Sequence, residues 1–251
     1  MIRAAALLLA TALGGLGPST PAPESEALAP VTILARYSAA LAKLHHPKAI
    51  AFDYSVEQLG MRNMEQTHHV YRSGLAERDE TLVVDGLTLP RPSVKIVANR
   101  SDRYDIAAIA PTEARYTFAY TGSKLSGDDI IYVFSTERKT PASFAVSEIE
   151  LDSKRFLPRI VHFKIAGYGV RGSGALIYGP AESYWVVRQA QVNAHTALGA
   201  PAHERITWSN YQFPPSLPRS TFVPPRPVVP ILPEPAGTAS PDSGADASAA
   251  Q

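Results

Sequence analysis

Between Val31 and His46 the residues Ile33, Leu34, Tyr37, Leu41 and Leu44 recur at spacings of three and four, which puts them on one stripe of an α-helix that Pro47 stops. Such a helix is amphipathic and must lie against something. After it the period drops to two: Ile50, Phe52, Tyr54 and Val56 take turns with Ala51, Asp53 and Ser55. The same alternation predicts strands at Glu65–Arg72, Glu77–Asp85, Val94–Asn99, Tyr104–Ala108, Arg115–Tyr120, Ile130–Thr136, Phe144–Leu151, Arg159–Ala166, Gly174–Tyr178, Tyr184–Asn193 and Glu204–Phe213. One helix and this many strands predict an α+β chain that is mostly β, a large antiparallel meander with the helix packed on one face. No repeat of fixed period appears.

The second half alternates most regularly. Ile149 and Leu151 point one way while Glu148, Glu150 and Asp152 point the other, and Val161, Phe163 and Ile165 alternate with His162 and Lys164. An acidic strand beside a basic one predicts cross-strand charge pairing on a wet face, with an apolar face opposite. The segment from Ile130 to Phe134 is apolar on both faces. It is either central beneath the helix or lines an interior whose other side is also covered.

Both ends depart from these patterns. Arg3 precedes an apolar run from Ala4 to Leu16, broken by Thr11, Gly14 and Gly15. That run is too short for a membrane-spanning helix, which needs about 20 residues, and reads as a signal peptide over residues 1–27 with cleavage after Ser25-Glu26-Ala27. Left uncleaved, it would be an anchor. From Val223 onward proline stands at every second or third place, followed by small and acidic residues, so 223–251 is expected to be an extended, disordered tail. The folded domain is then 30–222, periplasmic or secreted, with no second apolar stretch of spanning length.

Composition removes several function classes. The 251 residues carry 24 Lys+Arg against 23 Asp+Glu, a net charge of +1, which lacks the concentrated positive surface that nucleic-acid binding needs. The absence of cysteine excludes disulfides, thiolate zinc sites, cysteine nucleophiles and a lipidated N-terminal cysteine.

The motifs that resemble chemistry each lack their context. Gly167-Tyr168-Gly169-Val170-Arg171-Gly172 has the three glycines of a dinucleotide loop, but a strand follows rather than a helix, and no acidic residue stands about 20 positions on. It is read as a glycine-rich hairpin, with no cofactor. Gly172-Ser173-Gly174 fails as a nucleophile elbow because Arg171 stands where the first glycine belongs. His68 and His69 face opposite sides of a strand and cannot share one ion, so no metal site is expected. Glu148, Glu150 and Asp152 read as a solvated sheet face, and no catalytic residue is assigned.

What stands in excess is aromatic and aliphatic surface. Phe118, Tyr120, Tyr132, Phe134, Phe163, Trp185 and Val187 are the expected ligand-binding residues, since one helix cannot cover a sheet this wide and a curled apolar face would leave a cavity. A lipidic ligand fits such a cavity better than a polar substrate.

The segments IELDSKRFLPRIVHFKI at 149–165 and HERITWSNYQFPPSLPRSTF at 203–222, placed after an export signal, an amphipathic helix and a long meander, resemble the outer-membrane lipoprotein-sorting superfamily with the LolA/LolB-like fold. Asp152, Leu157, Pro158, Arg159 and Phe163 match one strand pattern of that family, and Ile206, Tyr211, Pro218 and Phe222 match another. The resemblance covers 30–222 and is strongest in 144–222. It implies a strongly curved half-barrel with the N-terminal helix and short lid elements on its concave face, and a hydrophobic interior holding the acyl chains of a lipoprotein or another lipid. No basic residue is assigned to the family's lid-locking role, and the missing lipidated cysteine points to a soluble carrier rather than an anchored receptor. Relatives that bind protein partners as envelope-stress sensors supply the alternative, an envelope interaction or regulatory module.

Overall fold

The computed structural model describes residues 28–60, 63–100, 104–167, 169–197 and 199–225. The expected signal peptide, residues 226–251 of the expected tail, and Tyr168 of the glycine-rich motif lie outside the described residues. The chain is mostly β, with an eleven-stranded antiparallel sheet, and it divides into two compact units.

The first unit comprises 28–45 and 104–201 of the described residues. It holds helix α1 (Pro30–Ala42) and six strands, β5 (Tyr116–Ser126), β6 (Asp129–Arg138), β7 (Phe144–Asp152), β8 (Pro158–Gly167), β9 (Val170–Ala181) and β10 (Tyr184–Thr196). Each pairs with the next in sequence, so the order is that of a plain meander. The glycine-rich motif is a hairpin, as expected: Gly167 pairs with Val170, and Gly169 takes φ +74°.

Helix α1 starts with proline in its first turn, where the missing N–H costs nothing. It ends at Ala42, earlier than the apolar spacing predicted, because the Lys43 and Leu44 amides close tight turns onto the Ala40 and Leu41 carbonyls. His46 precedes Pro47 and is steered away from helical geometry. The helix buries Ile33 and Tyr37, four residues apart on one stripe. The Tyr37 hydroxyl donates to the Pro111 carbonyl at 2.6 Å and its ring meets Phe118 edge-on, with centroids 6.2 Å apart. Burial pushes the Tyr37 phenol far above its ordinary pKa, with Arg115 opposing, so it stays a donor.

The strand expected at Tyr104–Ala108 is instead a short helix, α2 (Ile106–Ile109). Asp105 caps it by accepting the Ala107 amide at 2.9 Å, and a capping carboxylate before Ile-Ala-Ala outweighs the weak alternation there. Ile106 is buried, and the Tyr178 hydroxyl donates to the Tyr104 carbonyl at 3.2 Å, which holds this segment against the sheet.

The second unit comprises 46–100 and 202–225. Its strands are β1 (Ala49–Gly60), β2 (Met64–Ser73), β3 (Ala76–Val84), β4 (Leu87–Val97) and β11 (Pro201–Gln212), in the order β4-β3-β2-β1-β11. Edge strand β4 carries Pro90 and Pro92, residues that blunt an exposed ladder. A 3₁₀ turn, Arg219–Phe222, is tied to β3 where Arg78 donates to the Thr221 carbonyl at 3.0 Å. Register shifts interrupt pairing at Ala51/Asp53, Thr67/His68 and Thr81/Val83 here, and at Tyr120/Gly122, Val146/Glu148, Glu150/Leu151 and Val187/Gln189 in the first unit. Each adds bend and twist to its strand.

Candidate ligand cleft

Register places all seven expected ligand-binding residues on one face of the first unit. Tyr120 is opposite Phe134 and Phe118 opposite Thr136; Tyr132 and Phe134 are opposite Leu151 and Ile149. Ile149 meets Val161, two residues from Phe163, which lies opposite Gly174; Val187 and Trp185 lie opposite Tyr178 and Pro180. This is the face on which Tyr37 of α1 meets Phe118.

The seven differ in what surrounds them. Phe134 is 1% exposed, its ring met by Phe118 and Tyr120 at 6.4 and 5.2 Å. Tyr132 stacks on Phe156 at 6.1 Å, and Phe163 packs on Phe144 at 5.0 Å. Gly172 and Gly174 are required under this layer, since a Cβ on either would run into the backbone of β10, and one on Gly174 also into the Phe163 ring. Trp185 and Val187 are half-buried, and Tyr120 on the edge strand is 38% exposed.

Trp185 lines an open cleft of about 460 Å³. Its other walls come from α1 and the residues just after it (Arg36, Ala39, Ala40, Lys43, Leu44, His45), from the β7–β8 turn (Arg155, Phe156, Leu157) and from Ser183. The turn is built by Asp152, whose Oδ1 accepts the Lys154 and Arg155 amides at 3.0 and 2.6 Å while Phe156 takes φ +55°. That conformation lays Phe156 on Tyr132. The Arg36 guanidinium then sits 5.1 Å over the Phe156 ring, and that of Arg155 sits 5.5 Å over Trp185.

The cleft is one-sided in charge. Arg36, Lys43, His45 and Arg155 line it, no carboxylate does, and none of the four makes an ion pair with an acidic side chain among the described residues. Sequence reasoning singled out Trp185 but missed these cations. A signal existed on α1: positions 36, 39, 40 and 43 recur at three and four, as the apolar stripe does, with two alanines between two cations. Nothing local marked Arg155.

On the opposite face, Glu148 pairs across with His162 as the charge pattern predicted, but Glu150 and Asp152 are not the solvated carboxylates expected there. Both are buried, Asp152 because its turn amides hold it and Glu150 because Lys124 and His162 compensate it at 2.8 and 3.3 Å. Donor atoms of Glu148, Glu150 and His162 lie within 4.8 Å of one another, and the Lys124 ammonium supplies the positive charge beside them.

In the second unit the adjacent histidines take different partners, as opposite faces require. Nδ1 of His69 lies 2.5 Å from Asp53, and that of His68 lies 2.7 Å from Asp79. Tyr54 stacks on the His68 ring at 4.4 Å and donates to Asp79 at 2.7 Å. Burial and the Asp79 carboxylate together drive the Tyr54 phenol far above its usual pKa, so this half-buried group serves as a hydrogen-bond donor.

No helix among the described residues is long and apolar enough to cross a membrane. No protein-family profile matches the sequence, and no curated protein is significantly similar to it. Among solved structures the chain is similar to a DUF1329 family protein from Desulfovibrio piger, with 10% identity over 76% of this chain and 97% of that one and a TM-score of 0.42. It is similar to a putative outer membrane lipoprotein-sorting protein domain from Vibrio parahaemolyticus, with 12% identity, 75% and 95% coverage and a TM-score of 0.42. A LolA superfamily protein from Nitrosomonas europaea gives 9% identity, 79% and 99% coverage and a TM-score of 0.40.

Proposed function

We propose that this chain is an exported carrier or binding protein for a lipidic ligand, the acyl chains of a lipoprotein or another lipid, and that it performs no chemistry on it. The observation that carries this is the cleft of about 460 Å³, within the size range of small-molecule sites, walled by Ala39, Ala40, Leu44, Leu157 and Trp185 at the margin of an aromatic sheet face. Trp185 is assigned direct contact with the ligand. Val187 continues the same face of β10, Tyr132 backs Phe156, and Phe118, Tyr120, Phe134 and Phe163 extend the aromatic layer behind it.

Contact quenching tests this directly. A brominated fatty acid quenches a tryptophan that it touches, and the other tryptophan, Trp208, is buried in the second unit. Saturable quenching of the delipidated protein is expected, and its loss in Trp185→Phe places the ligand in the cleft. Absence of saturable quenching, together with purification from a membrane-containing host without lipid in the native mass spectrum, would overturn the carrier in favour of a module that binds a protein partner.

A further inference from the structure

We infer that the cleft at the end of α1 selects amphiphiles with an anionic headgroup, a phosphate or a carboxylate, over neutral ones of the same chain length. This rests on the lipid-binding reading above and adds the class of headgroup. The cleft gathers Arg36, Lys43, His45 and Arg155 with no carboxylate among its lining residues. Of the acids next to lining residues in the sequence, Asp152 is held by the amides of its turn, and Glu182, beside Ser183, is exposed and not part of the lining.

Ordinary helix electrostatics explain part of this cluster and leave the rest. Lys43 and His45 follow the last turn of α1, where the helix dipole favours cations. Arg36 lies in the middle of the helix and Arg155 on a turn of the sheet, so neither is placed by that effect. Both guanidiniums lie over rings, Phe156 and Trp185, rather than against acids. A guanidinium drawn to an aromatic ring and not engaged by an acid has N–H groups to offer, and its planar fork matches the oxygens of a carboxylate or phosphate. Ala39 and Ala40 line the same cleft, small enough to leave space, as do Leu44 and Leu157. Cations on aromatic rings around a short apolar wall form a site for a charged head joined to a chain.

Tetradecyl phosphate, myristate and tetradecanol, titrated below their micellar concentrations, test this. At low salt the two anions are expected to bind at least tenfold more tightly than the alcohol, with the margin shrinking as salt is raised. The doubly substituted Arg36→Gln, Arg155→Gln protein is expected to reduce that preference below about threefold, by weakening both anions far more than tetradecanol. Both arginines are exposed, so the variant should keep the circular dichroism of the parent. A matching Arg36→Lys, Arg155→Lys protein should retain most of the preference. Inorganic phosphate is expected to compete only at concentrations far above those of tetradecyl phosphate; equal potency would mean a free-anion site and overturn the amphiphile assignment. Equal binding of the alcohol and the anions would sink the headgroup inference and leave the lipid carrier standing. If none of the three binds, both fall.

Discussion

The indole N–H of Trp185 donates to the Pro158 carbonyl at 2.8 Å, so a side chain at the start of β10 reaches over β9 to the first residue of β8. This bond fixes the plane of the ring, leaving one ring face to the Arg155 guanidinium and the cleft. A wall made this way is preorganised, because its rotamer is set before any ligand arrives.

Trp185→Phe keeps most of the apolar wall and removes the bond to Pro158. For a half-buried site a loss of about 0.5–1.5 kcal/mol of stability is expected, read from urea denaturation followed by circular dichroism. An unchanged midpoint would mean that water replaces the indole at no cost.

The two glycines beneath the aromatic layer make a sharper contrast with a third on the same strand. A Cβ on Gly172 would press into the Asn193 carbonyl and Ala194 backbone, whereas one on Gly179 would meet only the Arg188 side chain, at 3.6 Å. Gly172→Ala is therefore expected to cost about 1–3 kcal/mol, the range for overpacking against atoms that cannot yield. Gly179→Ala should cost less than about 0.5 kcal/mol, because its Cβ would make only ordinary contact with the flexible Arg188 side chain. Thermal melts of the two variants check the difference, and equal melting temperatures would contradict the close approach of β9 and β10.

Acid should loosen the second unit through Asp79. Burial alone would raise this carboxyl, but hydrogen bonds from His68 and Tyr54, with the charges of His68 and Lys95 in support, outweigh it and hold the group below the ordinary 3.8. A depressed folded pKa stabilises fully above 3.8 and loses that contribution as pH falls through the lower folded value. Chemical denaturation measured from pH 6 down to about pH 2 should therefore show a steeper acid-side decline in the parent than in Asp79→Asn. Identical slopes would exclude Asp79 as a contributor.

Much of the fold was legible because strands and sheet faces are local properties. The period-two run through 144–166 separated Ile149, Leu151, Val161 and Phe163 from Glu148, Glu150 and His162, and the opposite charges of the two strands implied cross-strand pairing, found at Glu148 and His162. Of the α1 stripe Ile33, Leu34, Tyr37, Leu41 and Leu44, Ile33 and Tyr37 are buried and the three leucines are half-buried. The alternation failed at Tyr104–Ala108, where one capping bond from Asp105 was enough to turn a weak strand signal into a helical turn.

The aromatic residues expected to meet a ligand were picked as apolar surface in excess of what one helix can cover, and the register brings them to one face. Whether each ring meets protein or open space depends on neighbours remote in sequence. Phe134 is enclosed because Phe118 and Tyr120 arrive from β5, and Trp185 borders a cleft because α1 and the β7–β8 turn meet beside it. The burial of Glu150 and Asp152 was likewise decided elsewhere, by Lys124 on β5 and by the amides of a turn. The four cations of the cleft come from positions 36, 43, 45 and 155, and only folding cancels the sequence separation between α1 and the β7–β8 turn. Periodicity encodes which way a side chain points along its own strand or helix; it carries nothing about which distant segment will stand opposite, since that is set by the long-range pairing and packing of the whole unit.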